Sequence, residues 1–180
     1  MEFEILYAIQ GMHNAVLDSL MLFFTTLGDG GILWIAISVI LVIPNKTRKC
    51  GLAMMGAMAL SFLLGNLIIK NIVQRARPCT LDTSVKLLIP LPRDYSFPSG
   101  HTLNGFTAAT VIFCYYKRWG VLAYVGAAMI AFSRMYLFVH FPTDILGGII
   151  LGIGDGVLMY KIIQKVYKKG GSAGTVLDLK

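Results

Sequence analysis

Apolar residues in this chain neither alternate nor recur on a single helical face; they run in long blocks separated by short polar stretches. A helix of about 20 apolar residues crosses a hydrocarbon core roughly 30 Å thick, and five blocks reach or approach that length. The first runs from about Leu27 to Ile43, where Pro44 stops it, and the second from about Gly51 to Val73. The third begins after His101 and reaches Tyr116, the fourth covers about Gly120 to Val139, and the fifth about Thr143 to Ile163. Ala15 to Thr26, interrupted by Asp18, predicts a helix lying in the membrane interface; the alternative is a sixth, N-terminal span. Small residues recur inside the blocks, at Gly51, Gly56 and Gly65 and at Gly147, Gly148, Gly152, Gly154 and Gly156, where they let helices approach closely in lipid. The expected fold class is an all-α integral membrane bundle of five to six transmembrane helices with an interfacial N-terminal helix. One domain is expected over 1–169, followed by a flexible tail over 170–180.

Composition agrees: 56% of the 180 residues are hydrophobic and the mean hydropathy is +0.71, too apolar for a soluble domain of this size. A net charge of +7 could by itself suit nucleic acid, but the basic residues form short clusters between apolar runs, so a bilayer and not nucleic acid is the expected partner. Short cytoplasmic loops carry the excess of Lys and Arg. That rule places Lys46, Arg48 and Lys49, the pair Lys117 and Arg118, and the tail from Lys161 to Lys169 inside. The N-terminus, the Gln74 to Pro98 loop and the Arg134 to Pro142 turn then face outward. Cys50, Cys79 and Cys114 stand in separate segments without CxxC spacing, so neither a zinc site nor a disulfide framework is expected. MEFEILYAIQ carries acids where a signal peptide carries bases, so no cleavable signal is expected.

Charge at the edge of a membrane costs several kcal/mol unless it has a partner, and so it asks for a function. Three clusters of such residues gather on the outer side. Lys70 and Arg77 are seven residues apart, a spacing that two helical turns would bring onto one face, with Pro78 ending the segment; either they bind an anion or both snorkel to the interface. Pro98, Ser99, Gly100 and His101 open the third span, where a helix N-terminus and a glycine form a cradle for phosphate, unless Ser99 is simply an N-cap. Ser133, Arg134, His140 and Asp144 join the last two spans. With Pro142 in the first turn, Asp144 is close enough to hold one nitrogen of His140 and leave the other free for nucleophilic or base catalysis; its plainer role is a helix-capping acid. Lys70, Arg77 and Arg134 together suit the charge of phosphoryl transfer. No set of carboxylates suited to magnesium stands on that side, so a route without metal or other cofactor, through a phosphohistidine, is expected.

Three segments resemble the type 2 phosphatidic acid phosphatase superfamily. They are Lys70, six residues, then Arg77-Pro78; Pro98 to His101; and Ser133-Arg134, five residues, His140, three residues, Asp144. The resemblance implies a helical bundle with the site at the outer boundary of a bacterial cell membrane. It implies His140 as nucleophile, Asp144 as its orienting group and His101 as general acid. Lys70, Arg77 and Arg134, with Ser99 and the backbone at Gly100, would bind the phosphate. The implied partner is a membrane lipid phosphate, first an undecaprenyl diphosphate, with phosphatidylglycerophosphate, phosphatidate or a lipid A phosphate as alternatives. The loop from Cys79 to Asp94, with Lys86 and Arg93, either selects among these or is plainly solvated. A phospholipid transporter or binding protein is the rival class. It draws support from Asp155 in mid-span, which marks a polar pathway or a helix–helix hydrogen bond.

Overall fold

The computed structural model describes residues 1–174, with side chains placed through Lys168; of the tail expected over 170–180, residues 170–174 continue the last helix and 175–180 lie outside the described residues. Every regular element among the described residues is helical. In chain order these are α1 (Glu2–Gln10), α2 (Ala15–Gly28), a 3-10 turn (Asp29–Gly31), α3 (Ile32–Val42), α4 (Arg48–Ser61), a π-helical segment (Phe62–Ile69) and α5 (Lys70–Val73). There follow α6 (Pro78–Leu81), α7 (Gly100–Tyr115), α8 (Lys117–Tyr136) and α9 (Pro142–Gly174). Among the described residues, three runs are long and apolar enough to cross a membrane: Ala15–Val42, Arg48–Leu81 and Pro142–Lys168. At 20 residues α8 extends about 30 Å, whereas α7 has 16 residues and extends about 24 Å.

The N-terminal third differs from the expectation of an interfacial helix followed by a separate span. Asn14 starts α2 by accepting from Val16 N at 3.1 Å and Leu17 N at 3.0 Å, and the helical run then continues to Val42 through a bend. Gly30 and Gly31 make that bend at φ +59° and +69°, a left-handed conformation that costs glycine nothing. Asp18, the residue that interrupts the apolar pattern, accepts from the Tyr136 hydroxyl at 2.6 Å, fastening α2 to the end of α8.

The core is built around α7, which packs against α8 and α9 and buries Thr102, Leu103, Gly105 and every residue from Thr107 to Ile112. Close approach requires a bare stripe on α9. A Cβ on Gly148, Gly152 or Gly156 would stand 3.0, 2.7 or 2.9 Å from the backbone oxygen of Ser99, Leu103 or Thr107 respectively. Four-residue spacing puts the three on one helical face.

Asp155 projects from the same helix into a polar knot. Ser61 Oγ of α4 donates to Asp155 Oδ2 at 2.7 Å and lies 2.8 Å from Thr107 Oγ1 of α7. Three helices are thereby pinned by one carboxyl that is 6% exposed, the helix–helix hydrogen bond among the two readings of this residue. Replacing Asp155 by Ala is expected to lower stability by about 0.6–2 kcal/mol without changing turnover per folded molecule. Thermal midpoints and specific activities in detergent check this, and lost activity at unchanged stability would favour the polar pathway.

Candidate active site

Lys70, Arg77, Gly100, His101, Arg134 and His140 line one cavity of about 270 Å³, together with Asn66, Asp94 and Asn104. Residues spread over 75 positions meet there because four separate chain segments end at the same level. The π segment brings the first. Its wider turn shifts the phase of the side chains that follow it, and Asn66 and Lys70 both reach the cavity.

Arg77 does not share a helical face with Lys70, contrary to the spacing argument. The helix stops at Val73, Gln74 turns at φ +48°, and Arg77 is extended. Pro78 ends nothing; it occupies the first turn of α6, a position its missing N–H suits. What joins the two cations is an acid. The Asp94 carboxylate accepts from Lys70 Nζ with one oxygen and from Arg77 Nη2 at 2.7 Å with the other. Burial alone would raise the Asp94 pKa, but the hydrogen bond and charge of Lys70, and then those of Arg77, outweigh it and push the carboxyl down to about 2. Asp94 itself is 55% exposed, while Lys70 and Arg77 are buried to 6% and 4% exposure.

α7 begins at Gly100, so its unbonded first-turn N–H groups and positive dipole end lie at the cavity wall. Asn66 Oδ1 is 3.2 Å from where a Cβ on Gly100 would stand. Ser99 departs from expectation. It is fully buried, its hydroxyl accepts from Thr102 Oγ1 at 3.0 Å, and it neither lines the cavity nor caps the helix through its side chain. Its backbone N–H instead donates to Asp144 O at 3.2 Å. His101 Nε2 lies 2.9 Å from Asp29 Oδ1, a partner that spacing gave no reason to expect. The approach depends on Gly28, where a Cβ would stand 2.6 Å from His101 Cδ2.

His140 sits in the turn between α8 and α9, where Phe138 is forced to φ +58°. A left-handed aromatic residue costs of order 1–3 kcal/mol, and packing holds it, with Phe3 and Tyr7 of α1 against its ring at 6.1 and 5.8 Å. Arg77 Nη1 is 3.0 Å from His140 Nε2 and also donates to Val139 O at 2.8 Å. A guanidinium only donates, so Nε2 carries the lone pair and the proton is on Nδ1. That nitrogen faces Asp144 Oδ2 at 3.5 Å and Ser96 Oγ at 3.4 Å. Ser96 donates to the same Asp144 oxygen at 2.5 Å, as does Phe141 N at 2.8 Å. Asp144 therefore both caps α9 and backs the imidazole, at a separation longer than a direct hydrogen bond. Burial pushes the His140 pKa down; the Asp144 carboxylate beside the ring opposes this, the Arg77 and Arg134 charges add to it, and the value falls to about 3. The ring is neutral near pH 7.

Arg134 completes the site. It is 5% exposed, Nη1 donates to Thr25 Oγ1, and its buried Nε–H has no partner among the described residues. The arrangement offers a neutral imidazole lone pair, three cations, a helix N-terminus and a second histidine around one small cavity. Sequence reasoning missed Asp29, Ser96, Asn66 and Asn104. Ser96 stands three residues before Ser99 in YSFPSGH and Asp29 is an acid between two apolar helices, a signal in itself, but neither has a spacing that names its partner.

Residues 50–168 match the PAP2 superfamily. The chain is 33% identical over 139 residues to an undecaprenyl-diphosphatase of Sulfolobus acidocaldarius, covering 77% of this chain and 66% of that protein. It is 31% identical over 163 residues to undecaprenyl-diphosphatase BcrC of Bacillus subtilis, covering 89% and 83%. The fold superposes with a TM-score of 0.71 and 27% identity on the crystal structure of a transmembrane PAP2-type phosphatidylglycerolphosphate phosphatase from Bacillus subtilis, over 92% of this chain and 84% of that one. The chain belongs to the PAP2 superfamily.

Proposed function

We propose that this hydrolase removes a phosphate from a membrane lipid phosphate or diphosphate, with undecaprenyl diphosphate as its substrate, at the extracytoplasmic face of the cell membrane. One observation carries the reading: His140, unprotonated at Nε2 where Arg77 donates to it, lines a cavity with Lys70, Arg77 and Arg134 and is backed by Asp144. Nε2 attacks phosphorus while the bond to the leaving oxygen breaks, and His101 supplies that oxygen with a proton. A water then gives its proton to His101 and attacks the phosphohistidine, releasing inorganic phosphate and restoring both rings. Lys70, Arg77, Arg134 and the start of α7 hold the phosphate oxygens through both steps. No carboxylate metal site enters this route.

An amphiphilic substrate has support in the surroundings of the site. A mostly apolar groove of about 300 Å³ lies along Ile35, Met55, Met58 and Phe62 and shares Gly30 and Asn104 with the catalytic cavity. A lipid tail in that groove would leave its head group at His140. The relatives named as undecaprenyl-diphosphatases favour the prenyl carrier. The solved neighbour named for phosphatidylglycerolphosphate supports a second reading, and transport loses its main argument now that Asp155 is paired with Ser61.

Phosphate release from undecaprenyl diphosphate, phosphatidylglycerophosphate and phosphatidate, compared in one detergent, tests the substrate: the prenyl diphosphate is expected to be turned over fastest, and no release from any would contradict the reading. His140→Ala is expected to lower turnover by roughly a thousandfold or more. Asp94→Asn removes the carboxylate that a phosphate must displace from Lys70 and Arg77. Inorganic phosphate should then inhibit about tenfold more tightly, whereas weaker inhibition would mean that Asp94 instead builds the phosphate site.

Neutral His140 also links stability to pH. With a folded pKa of about 3 against about 6.5 when unfolded, the unfolded state binds more protons throughout that window. Stability therefore falls as pH drops below about 6.5, by up to about 1.4 kcal/mol per pH unit from this residue. Unfolding measured in detergent from pH 8 to 4.5 should show this slope reduced in His140→Asn.

A further inference from the structure

Arg75 stands two residues before Arg77, outside the cavity, and the reaction above gives it no part. Both terminal nitrogens of its guanidinium are nonetheless engaged. Nη1 donates to Asp144 Oδ1 at 2.6 Å and to Thr143 Oγ1 at 2.6 Å, and Nη2 donates to Glu2 Oε2 at 2.5 Å. The other Glu2 oxygen accepts from Thr143 Oγ1 at 2.7 Å and Thr143 N at 3.3 Å. The guanidinium plane also lies 4.2 Å from the centre of the Phe141 ring, which Phe3 meets edge-on at 5.3 Å. The first turn of α1, the 74–77 connection and the first turn of α9 are thus closed into one clasp.

At the centre of that clasp is a carboxylate with no solvent exposure. Ser96 and Phe141 N occupy Asp144 Oδ2, and Arg75 alone among the described residues holds Oδ1. A buried carboxylate needs a countercharge, and while His140 is neutral the imidazole does not supply one. Arg75 does. When Nε2 takes up phosphorus the ring becomes cationic, and a carboxylate already ionised and fixed on its other edge needs no reorganisation to meet that charge. Glu2 has the complementary task. By holding the second arm of the guanidinium, it keeps Arg75 on Asp144 and away from the phosphate cavity close by.

We propose that Arg75, anchored by Glu2, is a positioning residue for phosphoryl transfer, fixing and keeping ionised the carboxylate that orients His140. The proposal rests on the reading of His140 as a nucleophile backed by Asp144. It gives α1 a part in catalysis that no side chain of α1 could have by contact with the cavity.

The test uses the full chain in detergent, with whichever of undecaprenyl diphosphate, phosphatidylglycerophosphate and phosphatidate the wild type cleaves fastest, and inorganic phosphate as competitor. Arg75→Met is expected to lower kcat about 10- to 100-fold, the range seen when an outer group that orients a histidine is lost. KM and the inhibition constant of phosphate should stay within about twofold, because Lys70, Arg77 and Arg134 are untouched. Arg75→Lys keeps the charge but not the fork and should recover part of the loss. Glu2→Gln should show a smaller fall with the same split. Wild-type kcat in Arg75→Met, or a rise in KM and in the phosphate constant at unchanged kcat, would overturn the proposal. Should Arg75→Met fail to fold, Arg75→Lys and Glu2→Gln decide, and full kcat in both overturns it. Asp144→Asn and His140→Ala run alongside: activity retained in those two would sink the nucleophile reading itself, whereas activity lost there but kept in the Arg75 and Glu2 variants would sink only the role of Arg75.

Discussion

Three cations and a neutral histidine share one small cavity, and their coexistence is the constraint on which the site depends. Lys70, Arg77 and Arg134 are each at most 6% exposed, so water cannot screen their mutual repulsion as it would on a surface. An anion must sit among them. In this structure the anion is Asp94, reaching in from an otherwise exposed loop to bond both Lys70 and Arg77. A phosphate presents the same oxygens with more charge, so the arrangement that holds the loop carboxylate at rest is the one that would receive a substrate. Burial, aided by the same positive field, keeps a proton off His140, whose Nε2 lone pair accepts from Arg77.

Local structure around the site follows from that constraint. A π segment and a left-handed Gln74 steer Lys70 and Arg77 by different routes, and a left-handed Phe138 turns His140 inward. Each is a departure from regular helix that the packing around it must sustain. The bundle sustains it through close contact: the bare stripe on α9 seats against α7, the knot at Asp155 pins α4 to both, and α1 lies over the His140 turn.

The helical spans were legible because a bilayer demands long apolar runs, and the site was legible because few charges survive near such runs without a purpose. His101, His140, Lys70, Arg77, Gly100 and Arg134 meet as expected. Spacing misled in two places. Seven residues from Lys70 to Arg77 looked like two helical turns, but the chain leaves the helix after Val73. Ser99 looked like a phosphate ligand or an N-cap, but its hydroxyl turns away to Thr102. The carboxylates Asp29, Asp94 and Glu2 were hardest to place. Long-range ion pairs have no periodicity, so nothing in the order of residues tied Asp29 to His101 or Glu2 to Arg75.

The site joins a buried cluster of charge to an apolar groove through Gly30 and Asn104, the geometry an amphiphile needs if its phosphate is to be cut while its tail stays in lipid. The central claim is that phosphorus passes through a covalent bond to His140. Quenching a steady-state reaction in alkali, digesting the protein and locating phosphate by mass spectrometry addresses it directly. The account predicts a phosphorylated His140 that forms on mixing with substrate and decays once substrate is spent. Phosphate on another side chain, or rapid turnover with His140 unmodified at every time point, would contradict it.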